Sequence, residues 1–336
     1  MKQILCILIL LLGNNYAFSQ QVKDESTFEL SAKPVMTIFT NYHAGLGQNN
    51  ELSGFELNRA YLGYQFALTP SLSGRAIIDA AVSPSETVGI SQKREVYLKN
   101  ALLTWKDNHF SINGGLIGLM QFSVQENFWG HRYIAPSFQD LYKMGHSADL
   151  GITAEYRFSS SFSADITMSN GEGYKNLNTD NKNRYGLGVT INPLSRLTIR
   201  AYGDTYRQSF SNEGQRTFAF FAGYKNTYFS LGSEFNLQKN NGCKEGNDYS
   251  GVSFYTIIPL HKKWHFWGRF DKVNSTNKDN QTWSEYTGET AFIGVEYMPV
   301  KQLKIAPSYR YVRNFNTQIL SYDKAHSVYC NIGFFW

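Results

Sequence analysis

From about residue 34 to the end of the chain, apolar and polar positions alternate with a period of two, in run after run. That is the period of an extended strand, whose successive side chains point to opposite faces. In 146–158 one parity reads Ala148, Leu150, Ile152, Ala154, Tyr156, Phe158 and the other Asp149, Gly151, Thr153, Glu155, Arg157. In 161–170, Phe162, Ala164, Ile166 and Met168 alternate with Ser163, Asp165, Thr167 and Ser169; in 195–207, Leu197, Ile199 and Ala201 alternate with Thr198, Arg200, Tyr202 and Asp204. The runs come in pairs joined by a few residues: "ALTPSL" (67–72), "KDNH" (106–109), "FSSSF" (158–162), "NPLS" (192–195), "KNT" (225–227), "PLHKK" (259–263) and "MPVKQ" (298–302). Between pairs the connections are long and polar, as in "NGEGYKNLNTDNKN" (170–183) and "NSTNKDNQTWSE" (274–285). The punctuation predicts sixteen strands, at 34–43, 54–68, 71–82, 94–105, 109–119, 146–158, 161–170, 184–192, 195–207, 216–225, 228–238, 249–259, 263–273, 287–298, 301–313 and 326–336.

Short turns on one rim and long loops on the other are the pattern of a transmembrane antiparallel β-barrel. The even count puts both chain ends on the short-turn, periplasmic side. A soluble sandwich alternates too, and the charges decide between them. Arg59, Arg75, Asp79, Glu95, Lys99, Arg200, Glu234, Arg269, Asp271 and Glu296 all fall on the polar parity. A Lys or Arg at the lipid midplane costs about 2–4 kcal/mol, and a packed core rejects so many charges more strongly still. That parity must face a wet lumen. Three residues resist the register. Pro307 cannot donate to a ladder, which predicts a bulge there. Lys272 and Asn100 land on the lipid parity; Lys272 can snorkel, and Asn100 marks a local slip.

Composition agrees: hydrophobic residues make up 42% and charged residues 18%, with 28 Gly, 22 Tyr and 24 Phe, which favours strands and turns over helices. A net charge of +5, evenly spread, is no nucleic-acid footprint. "MKQILCILILLLGNNYAFSQ" has an apolar run from Ile4 to Leu12 and a small-x-small site at Ala17-Phe18-Ser19, so residues 1–19 read as a cleavable signal peptide and 20–336 as the barrel. Cys6 lies inside the signal, too early for a lipoprotein cysteine, and Cys243 and Cys330 alone define no disulfide framework. Residues 20–33 are too few for the plug domain of a larger transporter.

Phe66, Trp105, Phe110, Tyr156, Phe158, Phe162, Tyr224, Phe229, Trp264, Phe266 and Tyr297 flank the short turns and form an interfacial belt, which Phe334 and Trp336 complete. The terminal Phe334-Phe335-Trp336 also resembles the signature read by the outer-membrane assembly machinery.

"NRAYLGYQFALTPSLSGRAIIDA" (58–80), "REVYLKNALLTW" (94–105), "ENFWGHRYIAPSFQD" (126–140), "SADLG" (147–151) and "NGEGYKN" (170–176) resemble the phosphate-selective porin O and P family of Bacteroidota. The resemblance runs over most of the mature chain. It implies a sixteen-stranded trimeric pore in the outer membrane for small hydrophilic solutes, and the family name implies phosphate or anion selectivity. The near balance of lumen-parity Arg and Lys with Asp and Glu predicts weak ion selectivity instead.

A barrel enzyme and a non-conducting structural or adhesive barrel are the rival classes. Ser321-Tyr322-Asp323-Lys324 matches S-x-x-K without the helix that motif requires. His261 and His265 straddle a turn and strand rather than one helix face, so zinc is not expected. Gly171 and Gly173 read as turn glycines, and Asp180 with its Asn neighbours as a solvated loop. No catalytic residue, metal or cofactor is assigned. The candidate site is the third long loop, 120–146, too aromatic for disorder and too long to be idle. Phe122, Phe128, Trp129, Tyr133, Phe138 and Tyr142 need a surface, and the inner wall supplies one; the resemblance points the same way. Glu126, His131, Arg132, Asp140 and Lys143 would then line the constriction, facing a pore wall of Arg59, Arg75, Asp79, Glu95, Lys99, Arg200, Arg269 and Asp271. An external cap is the alternative.

Overall fold

A computed structural model describes residues 30–47, 53–82, 94–315 and 324–336. The expected signal peptide and Ser321–Asp323 lie outside these residues. Sixteen antiparallel strands close into a barrel, each hydrogen-bonded to its sequence neighbours, with the first pairing the last. They are β1 (Ser31–Leu46), β2 (Ser53–Ala67), β3 (Leu72–Val82), β4 (Arg94–Lys106), β5 (Phe110–Gly118), β6 (Ala148–Ser159), β7 (Phe162–Ser169), β8 (Arg184–Leu194), β9 (Leu197–Tyr206), β10 (Gln215–Lys225), β11 (Ser230–Lys239), β12 (Asp248–His261), β13 (Trp264–Thr276), β14 (Gly288–Val300), β15 (Leu303–Asn314) and β16 (Lys324–Phe335). Among the described residues no helix is long and apolar enough to cross a membrane.

The short turns are stapled by their own side chains. Asp107 Oδ1 accepts the N–H groups of His109 and Phe110 at 2.8 and 2.7 Å, and Asn226 Oδ1 those of Tyr228 and Phe229 at 2.8 and 2.9 Å. Thr69 Oγ1 does the same for Ser71 and Leu72. Such side chains satisfy the donors that a reversing backbone leaves open.

The two faces have inverted polarity. Leu62, Leu103, Ile152, Ile166, Leu187 and Phe220 point outward, each more than half exposed, while Asp79, Asn236, Ser253 and Asp271 on the other parity are fully buried. Rings pair along the short-turn rim, as in Trp105–Phe110 at 6.2 Å, Phe158–Phe162 at 4.8 Å and Trp264–Tyr297 at 4.5 Å. Phe335 turns inward against Phe39, so the belt takes Phe334 and Trp336 from the last strand and leaves Phe335 to the lumen.

Two irregularities repay comparison with the sequence. The β3–β4 ladder slips between Ile77 and Ile78, so that Asn100 pairs with Ile77 and Leu98 with Ile78. Lys99 is the extra residue, and Asn100 becomes buried, its amide donating to the Leu116 carbonyl at 3.4 Å. The expected slip is a β-bulge. At Pro307 the expectation fails: the β15–β16 ladder passes through Pro307↔Cys330 without a shift. The irregularity lies across the neighbouring ladder instead, between Tyr297 and Val300 on β14. A missing N–H can be absorbed by opening one ladder without inserting a residue.

Candidate functional site: a loop folded against the inner wall

The 119–147 connection is the longest in the chain and carries two short helices, α1 (Ser123–Trp129) and α2 (Phe138–Leu141). It touches strands all round the barrel. Phe128 meets Phe221 on β10, Trp129 meets Tyr255 on β12 and Trp267 on β13, and Tyr133 meets Phe39 on β1 and Phe335 on β16. One segment can reach β1, β10, β13 and β16 together only from inside. The strands make room for these rings with glycine. A Cβ at Gly223 would sit 2.6 Å from the Phe128 ring, one at Gly333 2.8 Å from Tyr133, and one at Gly251 would overlap Phe138.

Polar pins complete the docking. Arg269 Nη1 donates to the Pro136 carbonyl at 2.6 Å while pairing with Asp271 at 2.8 Å, and Tyr142 Oη donates to the same carboxylate at 3.0 Å. Arg200 forks onto Asp165 at 2.6 and 3.0 Å and reaches the Met120 carbonyl at 2.9 Å. Gln139 donates to Asn236 at 2.6 Å and Gln238 to the Met144 carbonyl at 2.7 Å. Tyr133 Oη donates to Glu296 at 2.7 Å. These side chains are buried, so each satisfied partner holds the loop.

The five loop residues singled out from sequence separate into three places. Arg132 pairs with Glu126 and, at 2.6 Å, with Asp140, and hydrogen-bonds Tyr61 on β2. Burial opposes its charge, but Asp140, Tyr61 and Glu126 more than offset this and hold its pKa well above the ordinary arginine value. His131 lies apart, its Nδ1 2.7 Å from the Trp129 carbonyl and its Nε2 3.4 Å from Glu296. Burial lowers its pKa and Glu296 only partly compensates. Lys143 is exposed at the long-loop rim, in the left-handed region at φ 55°, with Nζ 5.6 Å from the Tyr286 ring.

The wall residues divide as well. Arg59 pairs with Asp79 at 2.7 Å, and Lys99 bonds Ser147. Arg75 has no carboxylate at ion-pair distance among the described residues. Glu95 accepts from Tyr97. Arg200, Arg269 and Asp271 are buried beneath the loop as its anchors. Arg59, Asp79 and Lys99 on β2–β4 therefore face the charged edge of the loop formed by Glu126, Arg132 and Asp140.

Sequence reasoning missed a second inward segment. Tyr174, in the 170–183 connection, donates to Asp79 at 3.0 Å, accepts from Arg59 at 3.4 Å, and lies beneath Lys99 Nζ at 4.0 Å. Gly171 (φ 109°) and Gly173 (φ 81°) make the bend, passing against the rings of Tyr206 and His146 where a Cβ would not fit. Burial, with Arg184 nearby, lowers the His146 pKa to about 4. The two glycines before an aromatic in "NGEGYKN" were the available signal. At the short-turn end of β1–β5, below this cluster, lies a cavity of about 430 Å³ lined by Lys33, Gln65, Arg75, Thr104 and Asn113.

No family model matches the chain, and no curated protein matches it. Solved structures do. OprB of Pseudomonas putida aligns at TM-score 0.69 with 10% identity, covering 91% of this chain and 94% of that one. The anion-selective porin of Comamonas acidovorans aligns at 0.67 with 9% identity, over 92% and 100%. OmpT, an outer membrane protein of Vibrio cholerae, aligns at 0.65 with 13% identity, over 94% and 100%. At such identities the likeness is one of fold.

Proposed function

We propose that this chain is an outer-membrane porin, a water-filled channel for passive diffusion of small hydrophilic solutes or ions, and not an enzyme. The observation that carries the reading is the aromatic third loop docked on the inner wall of a closed barrel, with its charged edge turned toward β2–β4. A lipid-facing apolar band and a polar interior suit a barrel in a bilayer, and solved porins of the same fold support that setting. Export by a signal peptide in 1–19, assembly through Phe334-Phe335-Trp336 and a homotrimeric state belong to the same proposal, as does the resemblance to the phosphate-selective porins.

Glu126, Arg132 and Asp140 on the loop, with Arg59, Asp79, Lys99 and Tyr174 opposite, would form the constriction, where charges act on a passing solute more strongly than in open water. His131 would brace the loop from behind, and Lys143 would stand at the mouth. Many lumen charges cancel in place: Arg59 with Asp79, Arg184 with Asp204, Arg200 with Asp165, Arg269 with Asp271 and Lys304 with Glu296. Weak selectivity follows. An anion-selective channel is the second reading, favoured by Arg75, Lys99 and Arg310, which have no carboxylate at ion-pair distance among the described residues. Planar-bilayer recording in a salt gradient tests both. A cation-to-anion permeability ratio within a few-fold of one supports the first reading, and phosphate block of chloride current supports the second. A barrel that inserts without conducting overturns both.

A further inference from the structure

The outward face near the long-loop rim is not uniform. Arg216 tops β10, Lys239 ends β11, Lys272 lies high on β13, Arg313 on β15, and Lys324 opens β16, all on the lipid-facing parity. Two carboxylates share that face, Asp248 and Glu289. Lys239 pairs with Asp248; Glu289 serves Lys272 at 3.1 Å and Arg313 at 4.0 Å. Arg216 and Lys324 have no carboxylate at ion-pair distance among the described residues.

The register sharpens this. Arg216 stands directly opposite Lys239, and Arg313 directly opposite Lys324. Like charges facing each other across a ladder are unfavourable, unless something negative lies between them. The height is also informative. From the belt residue Tyr224 to Arg216, and from Phe334 to Lys324, the outward positions are mainly apolar: Phe218, Phe220 and Ala222 on β10, and Val328, Cys330 and Ile332 on β16. Eight to ten residues at about 3.3 Å each, tilted about 40°, rise roughly 20–25 Å, the height of a barrel's apolar band. The basic pairs therefore lie at the level of the opposite headgroups. The other half of the rim carries Tyr42, Phe55, Val96, Leu150, Met168 and Tyr185 outward, and Arg94 is its one charged strand residue among those described.

We infer that the outward extracellular rim of β10–β16 binds phosphate groups of outer-leaflet glycolipids, with Arg216/Lys239 and Arg313/Lys324 as two headgroup clamps. The inference rests on the outer-membrane reading above. Basic side chains at a membrane surface recognise anionic headgroups in this way, and the restriction to one half of the barrel makes this a site and not a general coating.

Native mass spectrometry of the full barrel with bis-phosphorylated lipid A, dephosphorylated lipid A and inorganic phosphate as probes tests it. The wild type should retain the phosphorylated lipid, should bind the dephosphorylated one at least about tenfold more weakly, and should not release its lipid to equimolar inorganic phosphate. Arg216→Ala/Lys239→Ala and Arg313→Ala/Lys324→Ala should each lose roughly thirtyfold in lipid affinity, with heat-modifiability and conductance unchanged. Equal retention of both lipids, displacement by equimolar phosphate, or variants that bind like the wild type would each overturn the inference. If a variant fails to assemble, the two lipids compared on the wild type still decide. A wild-type barrel that conducts but ignores the phosphorylated lipid sinks this inference alone; one that neither conducts nor fractionates with the outer membrane sinks the porin reading.

Discussion

Asp271→Ala should unlatch the third loop without disturbing the barrel. Asp271 is fully buried and holds Arg269 at 2.8 Å, and Arg269 in turn donates to the Pro136 carbonyl at 2.6 Å. Its carboxylate also accepts from Tyr142 Oη at 3.0 Å. Removing it strands a guanidinium whose side chain is 1% exposed. Breaking a buried pair in this way costs about 3–5 kcal/mol, a factor of roughly a hundred or more in the ratio of docked to released loop. The β13 ladders use backbone groups only and survive, so the protein should still migrate as a heat-modifiable barrel. Single-channel records should then show large flicker noise, and proteolysis added from outside should cut within 119–147. Arg269→Met/Asp271→Leu makes the argument falsifiable. Replacing both charges with apolar groups removes the stranded cation and adds only the Pro136 carbonyl left short of its donor, at about 1–3 kcal/mol, since the Tyr142 hydroxyl loses its acceptor in both variants. The double variant should be quieter and more protease-resistant than Asp271→Ala. A single variant as quiet as the wild type, or a double variant no better than the single, would refute the idea that this pair pins the loop.

Three further outcomes follow from the same geometry. Deleting 126–143 should raise single-channel conductance clearly, and Arg132→Glu should move the reversal potential toward cations; if neither changes in an assembled barrel, the loop is not the constriction. Gly223→Ile should displace Phe128 from its seat on β10, at about 1–3 kcal/mol of overpacking, and raise gating noise; unchanged records would show that the ring is not docked there in solution. His146 has its pKa lowered to about 4 from an ordinary 6.5, so the packed loop binds fewer protons than a released one. Its contribution is complete above pH 6.5 and is lost as pH falls toward 4, about 2 kcal/mol at pH 5. Acid on the long-loop side should therefore increase flicker, His146→Gln should blunt the response, and a full response in that variant would exclude this histidine as its source.

Strand number, the two faces and the rims were legible in the sequence because each is local. A period of two assigns a side to every residue of a strand, Asp107 and Asn226 make turns with their own neighbours, and rings beside those turns mark an interface. Even the bulge at Lys99 and Asn100 left a trace, as an amide on the wrong parity. The fate of the lumen charges left none. Whether Arg200 and Arg269 line a pore or pin a loop depends on Met120 and Pro136, eighty and 133 positions away, and Tyr133 reaches Glu296 across 163. No periodicity carries such distances. Closing the sheet brings opposite walls within reach of one loop, and only then do Gly223, Gly251 and Gly333 acquire meaning as the seats of three rings. The same closure turns Tyr174 inward onto Asp79 and stacks Arg216 against Lys239 on the outside. The sequence by itself determined which face each residue occupies; the tertiary structure decided which residues on that face meet, because meeting depends on curvature and register summed over all sixteen strands.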